Sequence, residues 1–222
     1  MAKLLFDIET LGFPLESFDE VQQEYLMRFA ATEEEKEEAK RKLNLSALTA
    51  QIITIGIMNP ETSAGQVLFQ SAEKEEFASA DGSIEFRSGD ERDLLERFWE
   101  TVTHYDQFIT FNGRSFDCPF LMLRSAMIGV KPSRNLLLSR YSQLHIDLLD
   151  QFTFYGATRK FSLDFYCKSF GIKSPKSDGI TGLDLGKLHR AGKHREIAEY
   201  CLRDLRATAE LYRIWNAYLN FG

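Results

Sequence analysis

The sequence predicts a mixed α/β protein in which a central β-sheet is flanked by α-helices. Short apolar runs rich in β-branched or aromatic residues, which are typical of buried strands, come first in the chain. Segments with apolar residues three or four positions apart, which are typical of helices, increasingly dominate later. Hydrophobic residues make up 44% of the 222 residues, so the chain can form a large core. We therefore expect one domain of mixed α/β order over residues 1–222.

The first strand is predicted at residues 3–7, where an apolar run leads into the two carboxylates of Asp7 and Glu9. Alternate residues of a strand point to the same face, so both side chains should project together from the carboxyl end of a buried strand. Two adjacent buried carboxylates destabilise a fold unless something pairs them, and a divalent cation is a natural partner for their oxygens. A solvated turn at the end of the strand is the alternative interpretation.

Residues 16–45 depart from the strand pattern, because they are highly charged and contain few β-branched residues. Acidic residues precede basic ones over residues 32–42, and Thr32 with Glu35 matches a capping box at a helix start. Two pairs of opposite charge at i,i+4 spacing should add to its stability, namely Glu37 with Arg41 and Glu38 with Lys42. We predict a helical insertion after the first strand that contains a solvated helix.

The remaining elements follow in chain order. Strands are predicted at residues 51–58, 66–70 and 107–111, with a short edge hairpin between residues 71 and 89. Helices are predicted from a capping box at Ser88 and Glu91 through Val102, and at residues 116–128, 144–155, 162–170, 183–190 and 193–218. This order places strands and helices in one continuous domain, with the long final helix at its end.

Charge and cysteine content narrow the class of protein. Asp plus Glu number 33 against 27 Lys plus Arg, so the formal charge is −6. This balance argues against a high-affinity non-specific binder of nucleic acid, but not against an enzyme that grips one strand end.

Three widely spaced cysteines predict neither a disulfide framework nor a cysteine metal site, and they fit a reducing cytoplasm. The chain also has no signal-peptide pattern and no apolar run long enough to cross a membrane, so we expect a cytoplasmic protein without membrane contact.

Two further clusters carry polar side chains at defined positions. Asn112 and Asp117 follow a predicted strand, and Asp117 falls at a helix start, where the helix dipole favours its negative charge. Tyr200 and Asp204 lie four residues apart in the predicted final helix, so they share one face. Taken alone, the first cluster is better explained by a helix cap, and the second can arise by chance.

Together, the three clusters form a pattern that resembles a known family. Phe-Asp-Ile-Glu-Thr at residues 6–10, Asn-Gly-x-x-Phe-Asp at residues 112–117 and Tyr-x-x-x-Asp at residues 200–204 occur in this order. The pattern resembles the DEDD superfamily of 3′–5′ exonucleases, whose fold is ribonuclease-H-like. With Tyr200, the pattern resembles the tyrosine subclass (DEDDy). The histidine subclass would need histidine at position 199, where this chain has Glu199.

Within that subclass, the chain resembles the proofreading exonuclease domain of family B DNA polymerases and its stand-alone bacterial relatives. The resemblance covers most of the chain but leaves out residues 16–45. No segment follows the last predicted helix, so we expect no polymerase domain in this chain.

The resemblance implies a site with two divalent cations, Mg²⁺ or Mn²⁺. Asp7, Glu9, Asp117 and Asp204 would hold them, with Asp7 bridging the two. Such ions make hydroxide accessible near neutral pH and neutralise a leaving oxygen. Tyr200 would orient the attacking water, because a tyrosine with a pKa of about 10 is a poor base at neutral pH.

The resemblance also suggests residues that contact the substrate. Asn112 would hydrogen-bond near the penultimate phosphate or sugar, and Leu11 and Phe116 would pack on the terminal bases. Core packing is the alternative role for Leu11 and Phe116. Lys176 is the candidate phosphate contact in a stretch, residues 112–176, where ten basic residues face four acidic ones. Scattered solubilising charge is the alternative for that stretch.

Two other residues in this stretch are given structural roles. We predict that His145 is a core or capping histidine rather than a metal ligand. Asp147 is predicted to cap the following helix.

These observations predict a stand-alone, metal-dependent 3′–5′ exonuclease that releases nucleoside 5′-monophosphates from single-stranded DNA 3′ ends, with DNA repair as its setting. An exoribonuclease of the ribonuclease D type, which trims RNA, is the first alternative. A nucleic-acid-binding protein that has lost turnover is disfavoured, because no carboxylate of the pattern is missing.

The insertion at residues 16–45 leaves the first strand close to Glu9, so its root should lie near the site. Connections of this length between neighbouring strands are commonly functional. Because its helix begins with acidic residues, we expect a lid or wall rather than a phosphate-binding surface. A protein-partner or oligomer contact is the alternative.

Overall fold

The structure, a computed structural model, describes residues 1–221. The strands are β1 (Lys3–Gly12), β2 (Ala50–Met58), β3 (Gly65–Gln70), β4 (Glu76–Ala78), β5 (Ile84–Gly89), β6 (Gln107–Thr110) and β7 (His145–Asp147). The α-helices are α1 (Glu20–Met27), α2 (Glu33–Lys42), α3 (Glu91–Val102), α4 (Asp117–Met127), α5 (Leu148–Phe152), α6 (Leu163–Ser169), α7 (Leu185–Arg190) and α8 (His194–Tyr218). The mixed α/β order expected from the sequence is therefore present. No helix within residues 1–221 combines the length and the apolar composition needed to span a bilayer.

The strands form one mixed sheet in the order β4-β5-β3-β2-β1-β6-β7. β1 lies antiparallel to β2 and parallel to β6. Pairing with β2 continues as far as Gly12, whereas pairing with β6 ends at Leu5. The strand predicted at residues 3–7 is therefore too short, because β2 supports β1 beyond its carboxylates. Asp7 and Glu9 lie inside β1, just past the end of its parallel neighbour.

One face of the sheet packs against α3 and α4. The ring of Phe6 on β1 meets the rings of Phe98 and Phe108 edge-on, at centroid distances of 5.4 and 6.2 Å. The indole N–H of Trp99 on α3 donates to Ser125 Oγ of α4 at 2.7 Å. Buried tryptophan needs such a partner, so this bond fixes how the two helices sit on the sheet.

The long helix α8 covers the other face. Gly56 of β2 permits its close approach, because a Cβ atom there would lie 2.4 Å from Leu205 Cδ1 and 2.8 Å from Cys201 Sγ. A side chain at this position would push the helix away from the sheet. The close packing lets α8 present Tyr200 and Asp204 beside β1.

The segment between β1 and β2 contains α1 and α2, as predicted for a helical insertion. Both helices begin with capping boxes, and the one predicted at Thr32 and Glu35 is confirmed. Neither helix contains a buried residue. Of the two predicted ion pairs, Glu38–Lys42 forms at 2.7 Å, whereas Glu37 pairs with Lys40 at 2.8 Å instead of with Arg41.

The helix predicted at residues 144–155 is only partly correct. Residues 145–147 form β7, which pairs with β6 through His145 opposite Phe108, and α5 follows it. A short apolar run fits either a strand or a buried helix, and pairing with a distant strand decided between them. The short edge hairpin predicted between residues 71 and 89 is confirmed by β4 and β5.

The predicted capping box of α3 is displaced by two residues. Asp90 caps the helix and pairs reciprocally with Asp93, in place of Ser88 and Glu91. Glu91 instead forms an ion pair with Arg124 of α4 at 2.7 Å and accepts a hydrogen bond from the Ile52 N–H at 2.8 Å. Glu91 therefore bonds to residues distant in sequence instead of closing the predicted capping box.

Candidate active site

The first part of the site is the pair of carboxylates on β1. Carboxylate oxygens of Asp7 and Glu9 and the Sγ atom of Cys201 lie within 4.8 Å of one another. Glu9 is only 8% exposed, and a β-bulge follows it at Thr10. The predicted approach of the two acidic side chains is confirmed, although they lie within the strand rather than at its end.

Asp117 reaches this pair from the amino terminus of α4. One of its carboxylate oxygens accepts the backbone N–H of Ile8 at 3.0 Å. That N–H lies past the end of the β6 pairing, so Asp117 occupies the place where a neighbouring strand would have bonded. The hydrogen bond fixes Asp117 across from the β1 carboxylates.

The turn that leads to Asp117 depends on an asparagine and a glycine. Asn112 has φ of 64°, a left-handed conformation that asparagine tolerates better than most residues. A Cβ atom at Gly113 would lie 2.5 Å from the side chain of Thr110, so only glycine fits there. These constraints explain the Asn-Gly pair without reference to a substrate.

Asp147 supports the same turn from β7. Its carboxylate accepts the backbone N–H groups of Asn112 at 2.8 Å and Arg114 at 2.9 Å, as well as that of Leu149 at 3.0 Å. The predicted helix cap is confirmed by the last of these bonds. The first two were missed, and only the pairing of β7 with β6 could reveal them. Asp147 therefore acts as a positioning residue for Asp117.

Tyr200 and Asp204 complete the arrangement from α8. Tyr200 is buried and Asp204 is half-buried, and the two lie one turn apart on α8. Arg203 stacks over the Tyr200 ring at 5.6 Å, and its Nε donates to the carbonyl oxygen of Pro175 at 3.2 Å. Arg203 thereby ties α8 to the loop that carries Lys176.

The electrostatics of the site are dominated by burial and by repulsion between carboxylates. Burial raises the pKa of Asp117 to about 7 and the pKa of Asp204 to about 6. Burial, followed by the charges of the neighbouring carboxylates, raises the pKa of Asp7 and that of Glu9 well above their ordinary values. The four groups therefore lie close enough to oppose one another's ionisation.

A neutral hydroxyl and two positive side chains counteract the effect of burial on the pKa of Asp204. A hydrogen bond from Tyr200, then the charges of Lys176 and Arg203, lower the pKa of Asp204 and offset part of the effect of burial. Lys176 is exposed, so its charge is available at the mouth of the site.

The donor set fits a hard divalent cation. It consists of carboxylate oxygens, which Mg²⁺ and Mn²⁺ prefer, and their mutual repulsion would be relieved by a cation. Cys201 is close enough to be counted with them, but burial raises the pKa of its thiol well above the usual value. Its sulfur packs against Gly56, so we assign Cys201 to the wall of the site. The structure thus contains an acidic cluster suited to binding metal.

The substrate-contact candidates lie around this cluster in different environments. Leu11 packs beside Tyr200 in a small apolar group with Leu185. Phe116 is half-buried and tilted against Phe120, with ring centroids 5.6 Å apart. Core packing therefore accounts for part of both side chains, and their contact with bases stays a prediction.

The basic stretch at residues 112–176 is partly occupied by structural roles. Arg114 donates to the carbonyl oxygens of Leu138, Ser139 and His145. Other arginines of the stretch form ion pairs, namely Arg124 with Glu91 and Arg140 with Asp150. These three arginines are therefore tied to the protein rather than free to guide a strand.

His145 is a core histidine, as predicted. It is buried, and its ring contacts Thr110 Oγ1 at 3.0 Å and the Leu136 carbonyl oxygen at 3.1 Å. Burial, with the nearby charge of Arg114, lowers the pKa of His145 to about 4, so the ring is neutral at physiological pH.

Similarity to known proteins decides which family the chain belongs to. A family model described as a predicted 3′–5′ exonuclease related to the exonuclease domain of PolB matches residues 51–218. The chain belongs to this exonuclease family. The resemblance inferred from the three motifs is confirmed, and the chain is classed as a nuclease of the 3′–5′ exonuclease type. The insertion at residues 16–45 lies outside the matched range.

Relatives of the exonuclease are found among archaeal DNA polymerases. It is 30% identical over 152 residues to DNA polymerase 1 of Sulfolobus acidocaldarius, covering 61% of this chain and 16% of that protein. It is 30% identical over 148 residues to DNA polymerase 1 of Saccharolobus solfataricus, covering 59% and 16%. The exonuclease thus spans only a small part of the length of these curated relatives.

A solved structure supports the fold. The family B DNA polymerase from the hyperthermophilic archaeon Pyrobaculum calidifontis matches 98% of this chain and 25% of that chain, with a TM-score of 0.61 and 19% identity. The expected ribonuclease-H-like arrangement, a mixed sheet flanked by helices, is therefore confirmed.

The raised pKa values predict how pH and metal act on stability. With divalent cations removed by EDTA, the site should contribute less to the free energy of unfolding as pH rises from about 4 to about 7. In that window the folded state holds protons on Asp117 and Asp204, with pKa values of about 7 and about 6, which the unfolded chain releases. A bound cation displaces those protons, so Mg²⁺ should raise Tm more at pH 8 than at pH 6.

The measurement is differential scanning calorimetry at both pH values, with Mg²⁺ or with EDTA. The variant Asp117→Asn/Asp204→Asn is the reference, because it cannot release these two protons and should lose the part of the pH-dependent gain that they cause, while Asp7 and Glu9 keep theirs. An equal Mg²⁺-induced rise in Tm at both pH values would contradict the assignment of the cluster as a metal site.

Proposed function

We propose that the chain is a stand-alone, metal-dependent 3′–5′ exonuclease that removes nucleoside 5′-monophosphates from single-stranded DNA 3′ ends. The single observation that carries the proposal is the convergence of carboxylates from three separate segments on one buried cluster beside Tyr200. All of these side chains come from this chain. The relatives named above are DNA polymerases, which makes DNA the first choice of substrate.

Asp7, Glu9, Asp117 and Asp204 would hold two Mg²⁺ or Mn²⁺ ions in this proposal. When bound, such ions lower the pKa of water and stabilise the charge that develops on a leaving oxygen. The contribution of the protein is to keep the four carboxylates in place. The bond from the Ile8 N–H holds Asp117, and the support of its turn by Asp147 keeps that carboxylate aligned.

Tyr200 would orient the attacking water through its hydroxyl group. Burial, then the charges of Asp204, Glu9 and Asp7, raises the pKa of Tyr200 well above its usual value. The hydroxyl therefore stays protonated at neutral pH, so its proposed role is positioning rather than proton abstraction.

Side chains around the cluster would bind the end of the strand. Lys176, whose charge acts on Asp204, is proposed to contact a phosphate, and Asn112 to bond near the penultimate phosphate or sugar. Leu11 and Phe116 would pack on the terminal bases, which stacking permits for any sequence. Bases must be unpaired to reach such contacts, so a single strand is the proposed form of the substrate.

The insertion at residues 16–45 is proposed to wall the entrance. Its last turn is attached to β1 by a hydrogen bond from Thr10 Oγ1 to the Asn44 carbonyl oxygen at 2.7 Å, next to Glu9. A wall here would hinder duplex ends more than single strands. Contact with a protein partner or a second copy is the competing proposal for this segment.

The proposed setting is the cytoplasm, with DNA repair as the process. The chain has three cysteines, Cys118, Cys167 and Cys201. All three are free and buried, which fits a reducing compartment.

The polarity of hydrolysis is the direct test of the proposed function. Purified protein with Mg²⁺ or Mn²⁺ should release 3′-labelled mononucleotides from single-stranded DNA immediately, while a 5′ label should appear in a ladder of shortening products. A 3′-phosphate should block the reaction, because its added negative charge would crowd the carboxylates.

Matched RNA oligonucleotides and a circular single strand complete the assay. Faster trimming of RNA would favour the ribonuclease D type of activity. Equal cutting of the circle would mean an endonuclease. Binding without any hydrolysis in either metal would mean a nucleic-acid-binding protein that lacks turnover.

A further inference from the structure

A groove of about 610 Å³ lies between the insertion and α7. Its floor is formed by Thr10, Leu11 and Gly12 of β1, the three residues that follow Glu9. Gly12 lies about 10 Å from Glu9 along an extended strand. Leu11 and Leu185 line the groove and pack in the apolar group that includes Tyr200, so the groove adjoins the candidate active site.

The two walls of the groove are basic. Lys40 and Arg41 come from α2, and Lys187 and Arg190 come from α7. All four side chains belong to exposed residues. They stand out because the chain as a whole has a formal charge of −6.

Two carboxylates also line the groove, and both are already engaged. Glu37 pairs with Lys40 at 2.8 Å. Asp184 accepts hydrogen bonds from the backbone N–H of Thr181 at 3.0 Å and from its Oγ1 at 2.8 Å. With the Glu37–Lys40 pair taken as neutral, three positive groups face the carboxylate of Asp184, so the groove stays positive, which suits a phosphate backbone.

The orientation of α2 brings its basic end to the groove. The helix is followed at once by Leu43, which is buried, and by Asn44, which is bonded to Thr10. A Cβ atom at Gly12 would lie 3.1 Å from Leu43 and Asn44, so this junction sits directly on β1. The acidic first turn of α2 lies a helix length away, about 15 Å. The expectation that the insertion is unsuited to phosphates rested on that first turn, whereas its last turn, which lines the groove, is basic.

We propose that this groove binds the phosphates of a single nucleic acid strand on the 5′ side of the nucleotide being removed. Lys40 and Arg41 on one wall, with Lys187 and Arg190 on the other, would hold the strand while its 3′ end reaches the carboxylates. The proposal rests on the proposed function and deepens it, because it assigns a substrate-binding role to a segment outside the matched family range.

A structural role for the same charges gives a different expectation. Basic residues in the last turn of a helix stabilise the helix dipole, and α2 and α7 both end with them. That role alone predicts a change in stability and no change in nucleic acid binding. The two roles are therefore separable by measuring binding.

The test compares two double variants of α2. Lys40→Ala/Arg41→Ala removes two charges from the groove. Lys36→Ala/Lys42→Ala removes two charges from the same helix outside the groove, where they pair with Glu33 and Glu38 at 2.7 Å. The two variants thus have the same net charge, and Lys42 shares the last helical turn.

Binding of a labelled 15-nucleotide single strand is followed by fluorescence anisotropy at several salt concentrations, with EDTA present to prevent hydrolysis. Removing one charge that binds a phosphate should reduce the slope of log affinity against log salt by about 0.7. The groove variant should therefore have a slope smaller by about 1.4, while the control variant keeps the wild-type slope. Equal slopes for the two variants, or no binding by the wild-type protein, would overturn the proposal.

A second readout separates this proposal from the proposed function. With Mg²⁺, the groove variant should raise KM for the 15-nucleotide strand and leave kcat/KM for a dinucleotide unchanged, since a dinucleotide is too short to fill the groove. If the wild-type protein and both variants hydrolyse the 15-nucleotide strand with the same KM, the groove does not bind the strand, but the exonuclease proposal stands. If the wild-type protein hydrolyses no oligonucleotide, the proposed exonuclease function is wrong. The salt dependence of binding measured by anisotropy would still decide whether the groove binds a strand.

Discussion

Asp7→Ala and Asp204→Ala are each expected to reduce nuclease activity by roughly 10³-fold or more. Each change removes a proposed metal ligand, and a cation at such a site contributes several kcal/mol of charge stabilisation to the reaction. Each also removes one source of carboxylate repulsion, because the charge of Asp204 is among those that raise the pKa of Asp7. The variants should therefore be at least as stable as the wild-type protein in EDTA.

Activity is measured as the release of mononucleotides from single-stranded DNA, and stability as Tm. Glu196→Ala is a matched control on the same helix as Asp204, because Glu196 pairs with Lys193 at 2.8 Å and its charge is not among those that shift the pKa of Asp7, Tyr200 or Asp204. It should keep near wild-type activity. Loss of activity together with a lower Tm in EDTA would mean that the aspartates stabilise the fold rather than bind metal.

Chelation should reproduce the effect reversibly. EDTA should stop hydrolysis by the wild-type protein, and added Mg²⁺ or Mn²⁺ should restore it. Hydrolysis that persists in a chelated preparation free of contaminating nuclease is incompatible with the proposed metal site.

Tyr200→Phe should lower kcat by roughly 10²–10⁴-fold, the range for a group that positions or transfers a proton. The substitution keeps the ring that packs with Leu11 and under Arg203, and it removes only the hydroxyl group. KM should change little, because the proposed role is to orient water rather than to bind the strand. The pH profile of kcat in the wild-type protein should show no ionisation of tyrosine near neutrality, since the pKa of Tyr200 is raised.

Tyr212→Phe serves as the control for removal of a tyrosine hydroxyl. Tyr212 is a buried residue of the same helix, and its ring lies near Lys3 rather than near the carboxylates. Its substitution should leave kcat unchanged. An unchanged kcat in Tyr200→Phe as well would assign Tyr200 to packing alone.

Much of the fold was predictable because its signals are local. The apolar runs of β2, β3 and β6 and the periodicity of α3, α4 and α8 appear in the sequence within a few residues of the observed bounds. The capping box at Thr32 depends only on residues three apart, and it was found. Errors arose where a distant segment intervened, as in β7, which forms because β6 lies beside it.

The candidate site follows the same division. The family resemblance carried by the three motifs implied which carboxylates share a site. Local patterns alone placed only Asp7 with Glu9 on one strand face and Tyr200 with Asp204 on one helix face. Two residues that hold the site in place were missed. Asp147 bonds to backbone groups 33 or more residues away, and Arg203 bonds to a carbonyl oxygen 28 residues away. No local pattern reports such contacts.

The sequence by itself determined the family of this protein, because its carboxylates and tyrosine occur in the order that marks an exonuclease family and its elements fit a mixed sheet. Tertiary structure alone decided which end of the insertion lies against β1. Composition emphasised the acidic start of α2, yet the bond between Thr10 and Asn44 places the basic end beside β1. The physical reason is that side-chain chemistry is encoded residue by residue, whereas the direction in which a solvated helix points depends on its anchor, a contact between residues 34 positions apart.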